Sequence, residues 1–235
     1  MKGPSFNEII EQNLEDLKKC PHGFKCTECP HSVCVTMVSA ADFPSKYGHF
    51  QILGFVNNKD NKDHIIILKG NIDNGEDVLM RLHSACLTGD ALGSLRCDCG
   101  PQLHEALKFI EKEGRGLILY HQEEGRGIGL VNKLRAYALQ DNGLDTLDAN
   151  TILGFAPDAR GYEIPAAMLK LIGVKSVRLM TNNPHKVEEI RKSGITVNER
   201  IQHELPPQIH NEKYMKTKKD RFDHMLNLDH QEDVR

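Results

Sequence analysis

Several features that would assign the protein to a membrane, a secretory route or a nucleic acid are missing from its sequence. No stretch approaches the roughly 18 consecutive apolar residues that a membrane-spanning helix needs, so no membrane partner is expected. Residues 1–10 lack the apolar core of a secretory signal, which predicts a cytoplasmic location. The net charge of −3 argues against a nucleic-acid partner, although a local basic pocket for a phosphorylated substrate stays compatible with it.

Internal repeats and low-complexity segments are also absent, and 235 residues are enough for one large domain with a small appendage. Hydrophobic residues make up 39% of the chain and charged residues 27%, which is typical of soluble globular proteins. The sequence does contain seven cysteines, and in a reducing compartment these favour metal sites over disulfides.

Apolar periodicity and turn residues divide the chain into three regions. They are a cysteine-rich N-terminal extension (1–44), a main domain (45–226) and a polar tail (227–235). The extension begins with an amphipathic helix over residues 6–17. In the main domain, short buried strands alternate with helices that end at glycines such as Gly114 and Gly173. This alternation predicts an α/β fold with a mixed, largely covered β-sheet flanked by helices, and with the extension as a small appendage.

The individual elements of the main domain are also predicted. Strand patterns occur at residues 50–55, 64–68, 78–83, 116–121, 175–180 and 195–198, and helical patterns at residues 101–113, 130–140, 165–172, 184–193 and 211–226. In the third strand, Val78, Met80 and Leu82 share one face while Arg81 and His83 share the other. That strand leads directly into the first of three closely spaced cysteines.

Cys86, Cys97 and Cys99 are the strongest chemical signal in the chain. A structural zinc ion normally has four protein ligands, whereas a catalytic one keeps a position for water, whose pKa zinc lowers to about 7. Three thiolates without an obvious fourth partner therefore predict a hydrolytic zinc centre. The alternative is three buried structural cysteines, which we disfavour because Arg96 and Asp98 make the segment too polar for a packed core.

A second cysteine cluster lies in the N-terminal extension. It consists of Cys20, Cys26, Cys29 and Cys34. The cluster predicts a second metal site, and a structural Zn²⁺ is preferred over an iron–sulfur cluster because cysteine-only zinc sites tolerate varied loops. Four reduced, unligated thiols are the remaining alternative.

Three segments beside predicted elements offer polar groups for a ligand. Residues 123–129 join a strand to a helix; Arg126 suits phosphate and Glu124 suits an amidine edge such as that of guanine, although the segment is not a G-x-G-x-x-G fingerprint. An ordinary glycine-rich connector is equally compatible.

Thr181 and Lys186 flank a predicted helix start and suit phosphate or base contacts; simple capping by Asn183 with a solvated lysine is the alternative.

Asp158 and Arg160 lie in an irregular stretch between helical patterns. An aspartate and an arginine two residues apart are able to act as acid or base and as a cation at phosphate. A surface ion pair without function is the alternative.

Taken together, these motifs resemble the GTP cyclohydrolase II family over about residues 46–226. The segments that carry the resemblance are residues 81–100 (RLHSACLTGDALGSLRCDCG), 124–130 (EGRGIGL), 133–140 (KLRAYALQ) and 181–184 (TNNP). The resemblance implies zinc-dependent hydrolysis of GTP to 2,5-diamino-6-(5-phosphoribosylamino)pyrimidin-4-one with release of formate and pyrophosphate, the first step of riboflavin biosynthesis. It also implies Mg²⁺ on the triphosphate and a homodimer.

The resemblance further assigns roles to residues of this chain. Zinc would be held by Cys86, Cys97 and Cys99. GTP would be bound by Arg81, His83, Ser84, Ala85, Gln102, Glu124, Gly125, Arg126, Thr146, Thr181 and Lys186. Asp158 corresponds to a general base, Arg160 to a nucleophile toward the α-phosphorus, and Tyr137 to a tyrosine near the opening ring. A guanidinium stays protonated at neutral pH, so a purely electrostatic Arg160, with water attacking phosphorus, is the alternative.

Two other functions are compatible with the same residues. A paralogue would retain the formyl carbon in a formamidopyrimidine product for another pathway. A zinc-binding regulator would bind the nucleotide without turning it over. The identity of the product separates the three hypotheses.

Overall fold

The computed structural model describes residues 5–19, 33–156 and 158–228, and in these parts of the chain the architecture is an α/β fold around one mixed sheet. The strands are β1 (Val35–Ser45), β2 (Gly48–Asn57), β3 (His64–Lys69), β4 (Val78–Ser84), β5 (Gly116–His121), β6 (Ser176–Met180) and β7 (Thr196–Ile201). The helices are α1 (Phe6–Lys19), α2 (Leu87–Asp90), α3 (Cys99–Glu113), α4 (Leu130–Asp141), α5 (Thr146–Ile152), α6 (Glu163–Leu171), α7 (Pro184–Lys192) and α8 (Glu212–Phe222). The predicted fold class is confirmed.

The sheet has an antiparallel half and a parallel half, with the strand order β1-β2-β3-β5-β4-β6-β7. β1, β2, β3 and β5 pair in antiparallel fashion, whereas β4 pairs in parallel with both β5 and β6, and β6 with β7. The carboxyl ends of β4, β5 and β6 therefore lie at one edge of the sheet. In α/β proteins this edge is where ligands bind.

Both faces of the central strands are covered. On one face, Met80 and Leu82 of β4 belong to a buried cluster with Met168 of α6 and Ile190 of α7. On the other face, Leu79 packs in a second cluster that contains Ile110 and other residues of α3. The predicted division of β4 into two faces is thus confirmed, and β4 is rigidly held where it delivers residues to the edge of the sheet.

Strand β1 was not predicted. Its residues are mostly small or polar and its burial is irregular, with Thr36 and Met37 its only fully buried residues among those described. Antiparallel pairing with β2 stabilises β1. The residue pattern of β1 alone does not indicate this pairing. The predicted boundary between residues 44 and 45 falls inside this strand, before its last residue Ser45; the division into domains otherwise stays a prediction.

The predicted N-terminal metal site lies largely outside the described residues, since Cys20, Cys26 and Cys29 are not among them. Cys34 immediately precedes β1, and its backbone N–H donates a hydrogen bond of 2.8 Å to Asn58 Oδ1. In the described part of the chain, no helix has the length and apolar character needed to cross a membrane.

Gly75 is the position where a side chain would disturb the fold most directly. Its φ is +79°, and a Cβ built on it would lie 1.8 Å from the carbonyl oxygen of Gly173. We expect Gly75→Ala to lower the free energy of unfolding by about 3 kcal/mol or more, because left-handed backbone alone costs an L-residue about 1–2 kcal/mol and here the backbone must also shift. Denaturant unfolding measures the change.

Gly173→Ala is the matched control for this prediction. Gly173 also has a positive φ, +84°, but a Cβ there meets nothing within 4 Å. This variant should lose about 1–2 kcal/mol, from backbone strain alone. Equal losses in the two variants would show that the contact between the two turns tolerates a methyl group.

Candidate active site

A cleft opens at the carboxyl ends of β4, β5 and β6 and encloses about 1140 Å³, counting space open to solvent. Residues that the sequence analysis selected from separate segments between residues 81 and 186 meet there. They are Arg81, His83, Ser84, Ala85, Cys86, Cys97, Cys99, Gln102, Glu124, Gly125, Arg126, Tyr137, Thr146, Arg160, Thr181 and Lys186. Asp158 is not part of the lining but contacts Arg160. The structure thus brings the selected residues together; their roles are taken up below.

The three cysteines of the Cys86–Cys99 segment converge on one point. Cys86 follows β4, Cys97 lies in the turn before α3, and Cys99 is the first residue of that helix. Their sulfur atoms all lie within 4.8 Å of one another, and those of Cys86 and Cys97 are 3.6 Å apart. Three sulfurs at this separation can share one metal ion.

The local backbone is shaped around these sulfurs. A Cβ on Gly89 would lie 2.9 Å from Cys97 Sγ and 3.2 Å from Cys86 Sγ, so only glycine lets α2 approach the sulfurs this closely. Three soft thiolates are the donors that zinc prefers, and three rather than four protein ligands is the number found in catalytic zinc sites. Both the space and the donor set fit zinc.

Electrostatics around the cysteines favour at least one thiolate. Hydrogen bonds from the Cys97 and Cys99 thiols, and then Lys133, hold the pKa of Cys86 far below its usual range. The bond to Cys86 conversely raises the pKa of Cys97 to about 11. Lys133 Nζ lies 3.0 Å from Cys86 Sγ and also donates to Thr88 and Glu124. The sequence analysis missed Lys133, although it lies in one of the resembling segments.

Asp90 at the end of α2 links this centre to the sheet. Its Oδ2 accepts hydrogen bonds from His83 Nε2 (3.0 Å), from the Tyr120 hydroxyl (2.8 Å) and from the backbone N–H of Cys86 (3.0 Å). Burial lowers the pKa of His83. Asp90 therefore fixes both the imidazole and the backbone of the first cysteine, a role that no local sequence pattern indicated.

Buried cations cluster in the same cleft. Arg81 is 6% exposed, and burial lowers its pKa to about 10. Lys186 is also 6% exposed; burial, followed by the repulsion of Arg160 and Arg81, holds its pKa well below the usual range. Among the described residues its hydrogen bond goes to a backbone carbonyl, that of Leu82 at 2.9 Å, and not to a carboxylate. Asp158 attracts this cation from a distance, but no carboxylate of the described residues contacts it directly, and an anionic ligand would supply such a contact.

This finding changes the interpretation of residues 181–186. Asn183 does cap α7, because its Oδ1 accepts a hydrogen bond of 3.0 Å from the backbone N–H of His185. Lys186, however, is buried in the cleft and not solvated as the capping alternative assumed. Thr181 Oγ1 accepts from the backbone N–H of Asn183.

Asp158 and Arg160 form a partly buried ion pair rather than an exposed surface pair. Arg160 Nε donates to Asp158 Oδ1 at 2.8 Å, its Nη2 contacts Oδ2, and its Nη1 donates to Ser84 Oγ at 3.0 Å. Burial opposes the charge on Arg160, but the hydrogen bonds from this guanidinium to Asp158 outweigh it and raise the arginine pKa. The pair is therefore held in its charged form.

In the loop between β5 and α4, the carboxylate of Glu124 is fully hydrogen-bonded, whereas one nitrogen of Arg126 has no partner among the described residues. Glu124 Oε2 accepts from the backbone N–H of Leu87 at 2.6 Å and its Oε1 from Lys133 at 2.8 Å, so both oxygens have protein donors. Arg126 has a left-handed backbone, with φ of 61°. Its Nη1 is buried and has no hydrogen-bond partner among the described residues, which leaves it available to a ligand.

The other side of the cleft comes from a segment to which the sequence analysis gave no role. Tyr214 and Lys218 of α8, with His224 and Leu226 beyond it, line the cleft. The helix itself was predicted at residues 211–226, and the structure has it at Glu212–Phe222. Its position over the cleft could not be predicted because its lysine-rich sequence resembles a solvated helix.

His121 provides a test of how the fold responds to pH. Burial, together with the nearby His64, Lys186, Lys62 and Arg160, lowers its pKa to about 3. An unfolded histidine has a pKa near 6.5, so between about pH 6.5 and 3 the unfolded chain binds a proton that folded His121 does not. Stability should therefore fall as pH decreases through this window.

His121→Phe should reduce the change of the unfolding free energy with pH by up to about 1.4 kcal/mol per pH unit, which is the full effect of one proton. Denaturant unfolding at pH 7, 6 and 5 gives the slope, and His210→Phe, at an exposed position, serves as the control. An unchanged slope in His121→Phe would contradict the assignment.

Comparison with known proteins relates this cleft to a family. A sequence model of the family described as GTP cyclohydrolase II matches residues 36–202. A GTP cyclohydrolase-2 of Haemophilus influenzae (strain PittGG) is 51% identical over 193 residues, which cover 82% of this chain and 89% of that protein. A riboflavin biosynthesis protein RibBA of Bacillus mycoides is 50% identical over 198 residues, covering 84% of this chain and 50% of that protein.

The chain thus spans about half the length of the RibBA relatives that it matches. Among solved structures, RibBX, a two-domain 3,4-dihydroxy-2-butanone 4-phosphate synthase from A. baumannii, aligns with a TM-score of 0.33 and 14% identity over 67% of this chain and 36% of that one. This likeness is too weak to support an argument. The family match and the 51% identity are strong, and they show that the chain belongs to the GTP cyclohydrolase II family of enzymes.

Proposed function

We propose that this chain hydrolyses GTP to 2,5-diamino-6-(5-phosphoribosylamino)pyrimidin-4-one, formate and pyrophosphate, the first step of riboflavin biosynthesis. The observation that carries the proposal is one cleft that combines three convergent thiols with buried cations that no carboxylate contacts directly in the described part of the chain. The thiols suit zinc-assisted attack on a base carbon, and the cations suit a triphosphate. The names of the relatives supply the same substrate and pathway.

Zinc would be held by Cys86, Cys97 and Cys99. The chemistry that it supplies when bound is the activation of water as a nucleophile at neutral pH. Tyr137 lies beside this centre, with the guanidinium of Arg96 4.6 Å from its ring centre and Lys133 Nζ at 5.6 Å. We assign Tyr137 to the edge of the opening ring, where its hydroxyl can donate to the base or accept from it.

The phosphate end of the substrate would lie on the cations. Arg81, Arg126 and Lys186 offer charge without a carboxylate partner in the described part of the chain. Ser84, Gln102, Thr146 and Thr181 add hydrogen-bonding groups to the lining of the same cleft. Mg²⁺ would share the remaining triphosphate charge, since four negative charges exceed what three cations neutralise.

For Arg160 the geometry favours the electrostatic role over the nucleophilic one. Both oxygens of Asp158 accept from its guanidinium, which keeps it charged and its nitrogen lone pairs delocalised. Arg160 would then stabilise charge on the oxygens around the α-phosphorus while water attacks. Asp158 would hold the guanidinium in place and accept a proton from that water.

The guanine end is assigned to the Glu124 loop. Glu124 is engaged by Lys133 and by backbone N–H groups, so a guanine edge would exchange with or add to these donors. Gly125, Ala85 and His83 line the same cleft, and we assign them to the surroundings of the base. We also propose a homodimer and a cytoplasmic location, in keeping with the sequence analysis; sedimentation analysis at micromolar concentration tests the dimer.

Mass spectrometry of the products of zinc-loaded protein with GTP and Mg²⁺ tests the proposal. Formate, pyrophosphate and the diaminopyrimidinone monophosphate are expected. A product that retains the formyl carbon would replace the proposal with the formamidopyrimidine alternative. Unchanged GTP with zinc bound would replace it with a nucleotide-binding regulator.

A further inference from the structure

Helix α8 lies outside residues 36–202, the range that the family model matches, and it forms one wall of the cleft. The chain after the helix is tied to the site, because the backbone N–H of Met225 donates to the carbonyl of Asn182 at 2.9 Å. Two side chains of α8, Lys218 and Phe222, contact residues of the proposed site at different ends. These contacts suggest more than a covering role.

Lys218 contacts the segment that carries two of the three cysteines. Its Nζ lies 2.5 Å from Asp98 Oδ1, and the two residues are 7% and 3% exposed. Asp98 stands between Cys97 and Cys99 in the sequence, so an interaction that fixes Asp98 also fixes the backbone that presents both sulfurs. Removal of one partner from a buried ion pair leaves the other charge uncompensated, which is strongly unfavourable.

From Asp98 the hydrogen bonds continue to the cations of the cleft. Asp98 Oδ2 accepts from Gln102 Nε2 at 2.5 Å, and Gln102 Oε1 accepts from a guanidinium nitrogen of Arg81. The other terminal nitrogen of Arg81 donates to the carbonyl of Met180 at 2.9 Å. Hydrogen bonds therefore connect Lys218, through Asp98 and Gln102, to Arg81, a residue that we propose binds GTP.

Phe222 acts at the glycine-rich loop. Its ring lies 3.7 Å from the guanidinium carbon of Arg126. The ring face can hold the cation in one place without using its N–H donors. The same guanidinium has a buried Nη1 without a hydrogen-bond partner among the described residues, so Phe222 restrains a group that is available to a ligand.

We propose that α8 is a positioning element of the active site, in which Lys218 orders the cysteine segment and Arg81 through Asp98, and Phe222 orders Arg126. The inference rests on the proposed function for the identity of the ligands. It extends the functional unit beyond residues 36–202, the range that the family model matches.

Lys218→Met tests the first contact, and Lys216→Met, at an exposed position of the same helix, is the matched control. Competition with a chromogenic chelator should show zinc affinity lowered 10–100-fold in Lys218→Met, the usual effect of losing an outer partner of a metal site. KM for GTP should rise as Arg81 loses its orientation. Lys218→Arg, which keeps the charge, should recover most of both quantities.

Phe222→Leu tests the second contact, with Phe109→Leu, at an exposed position of α3, as the control. We expect about a threefold to tenfold rise in KM for GTP, with kcat and zinc affinity unchanged, in line with a cation–π contact of about 0.5–1.5 kcal/mol. Inhibition by guanosine, which lacks phosphate, should stay the same.

Thermal unfolding of each variant separates positioning from folding. If Lys218→Met and Phe222→Leu lower only the melting temperature, with zinc affinity and KM as in the parent, α8 is a structural cover and the inference is wrong. Failure of the parent protein to hydrolyse GTP would instead overturn the proposed function. The zinc-affinity result for Lys218→Met stands apart from that outcome because it needs no turnover.

Discussion

Cys97→Ser is expected to remove one zinc ion per chain and to lower GTP hydrolysis by about a thousandfold or more. Serine at this position would stay a neutral hydroxyl, since its pKa lies far above that of a thiol and it offers zinc no soft anion. Two sulfurs would remain of a group in which all three lie within 4.8 Å of one another. Elemental analysis of the purified protein and a GTP turnover assay measure the two effects.

Cys34→Ser is the control, because Cys34 belongs to the separate N-terminal cluster. It should leave GTP hydrolysis unchanged, and a parallel loss of metal there would support the predicted second site. The zinc proposal fails if Cys97→Ser retains both its metal and its turnover. Circular dichroism checks that the variant is folded, which we expect because Cys97 lies in a turn and not in the sheet.

Lys186→Met is expected to stabilise the protein while it destroys substrate binding. Lys186 is 6% exposed and its hydrogen bond goes to the Leu82 carbonyl. A buried cation that has no direct carboxylate partner among the described residues, and that Arg160 and Arg81 repel, is costly, so a methionine of similar length should raise the free energy of unfolding by about 1–3 kcal/mol. Loss of a buried charged contact to the triphosphate should raise KM about a hundredfold or more.

The opposite directions of these effects make the prediction specific. A residue with a purely structural role would lose stability and activity together, whereas a binding group that is strained in the free enzyme loses only function when replaced. Lys192→Met, at the exposed end of the same helix, removes a surface ion pair and should change both quantities little. A Lys186→Met protein that is less stable and binds GTP normally would contradict the proposed role.

Much of the fold was predictable because its elements carry local signals. Gly114 ends α3 with a φ of 77°, and Asn183 caps α7 through the backbone N–H of His185, as the sequence indicated. The buried strands β4, β5 and β6 are short apolar runs between such signals. β1 lacked both an apolar pattern and a boundary signal, since its place in the sheet depends on its pairing with β2.

Candidate site residues were predictable where residue type and spacing limit the chemistry. Three cysteines in fourteen residues, a glycine-rich loop after a strand and a Thr-Asn-Asn-Pro segment before a helix each point to a ligand, and together they resemble a family. Their individual interpretations were weaker. Whether Lys186 is solvated or buried, and whether Asp158 and Arg160 form an exposed or a partly buried pair, depends on what packs against them.

By itself, the sequence determined the fold class, the candidate metal ligands and the family, because helix caps, strand periodicity and metal-ligand spacing are properties of neighbouring residues. Only the tertiary structure decided which cations lack a partner, that Asp90 links His83 to the cysteine segment, and that α8 closes the cleft. The contact between Lys218 and Asp98 joins residues 120 positions apart. Contacts of that kind depend on how the elements pack, and no local pattern encodes them.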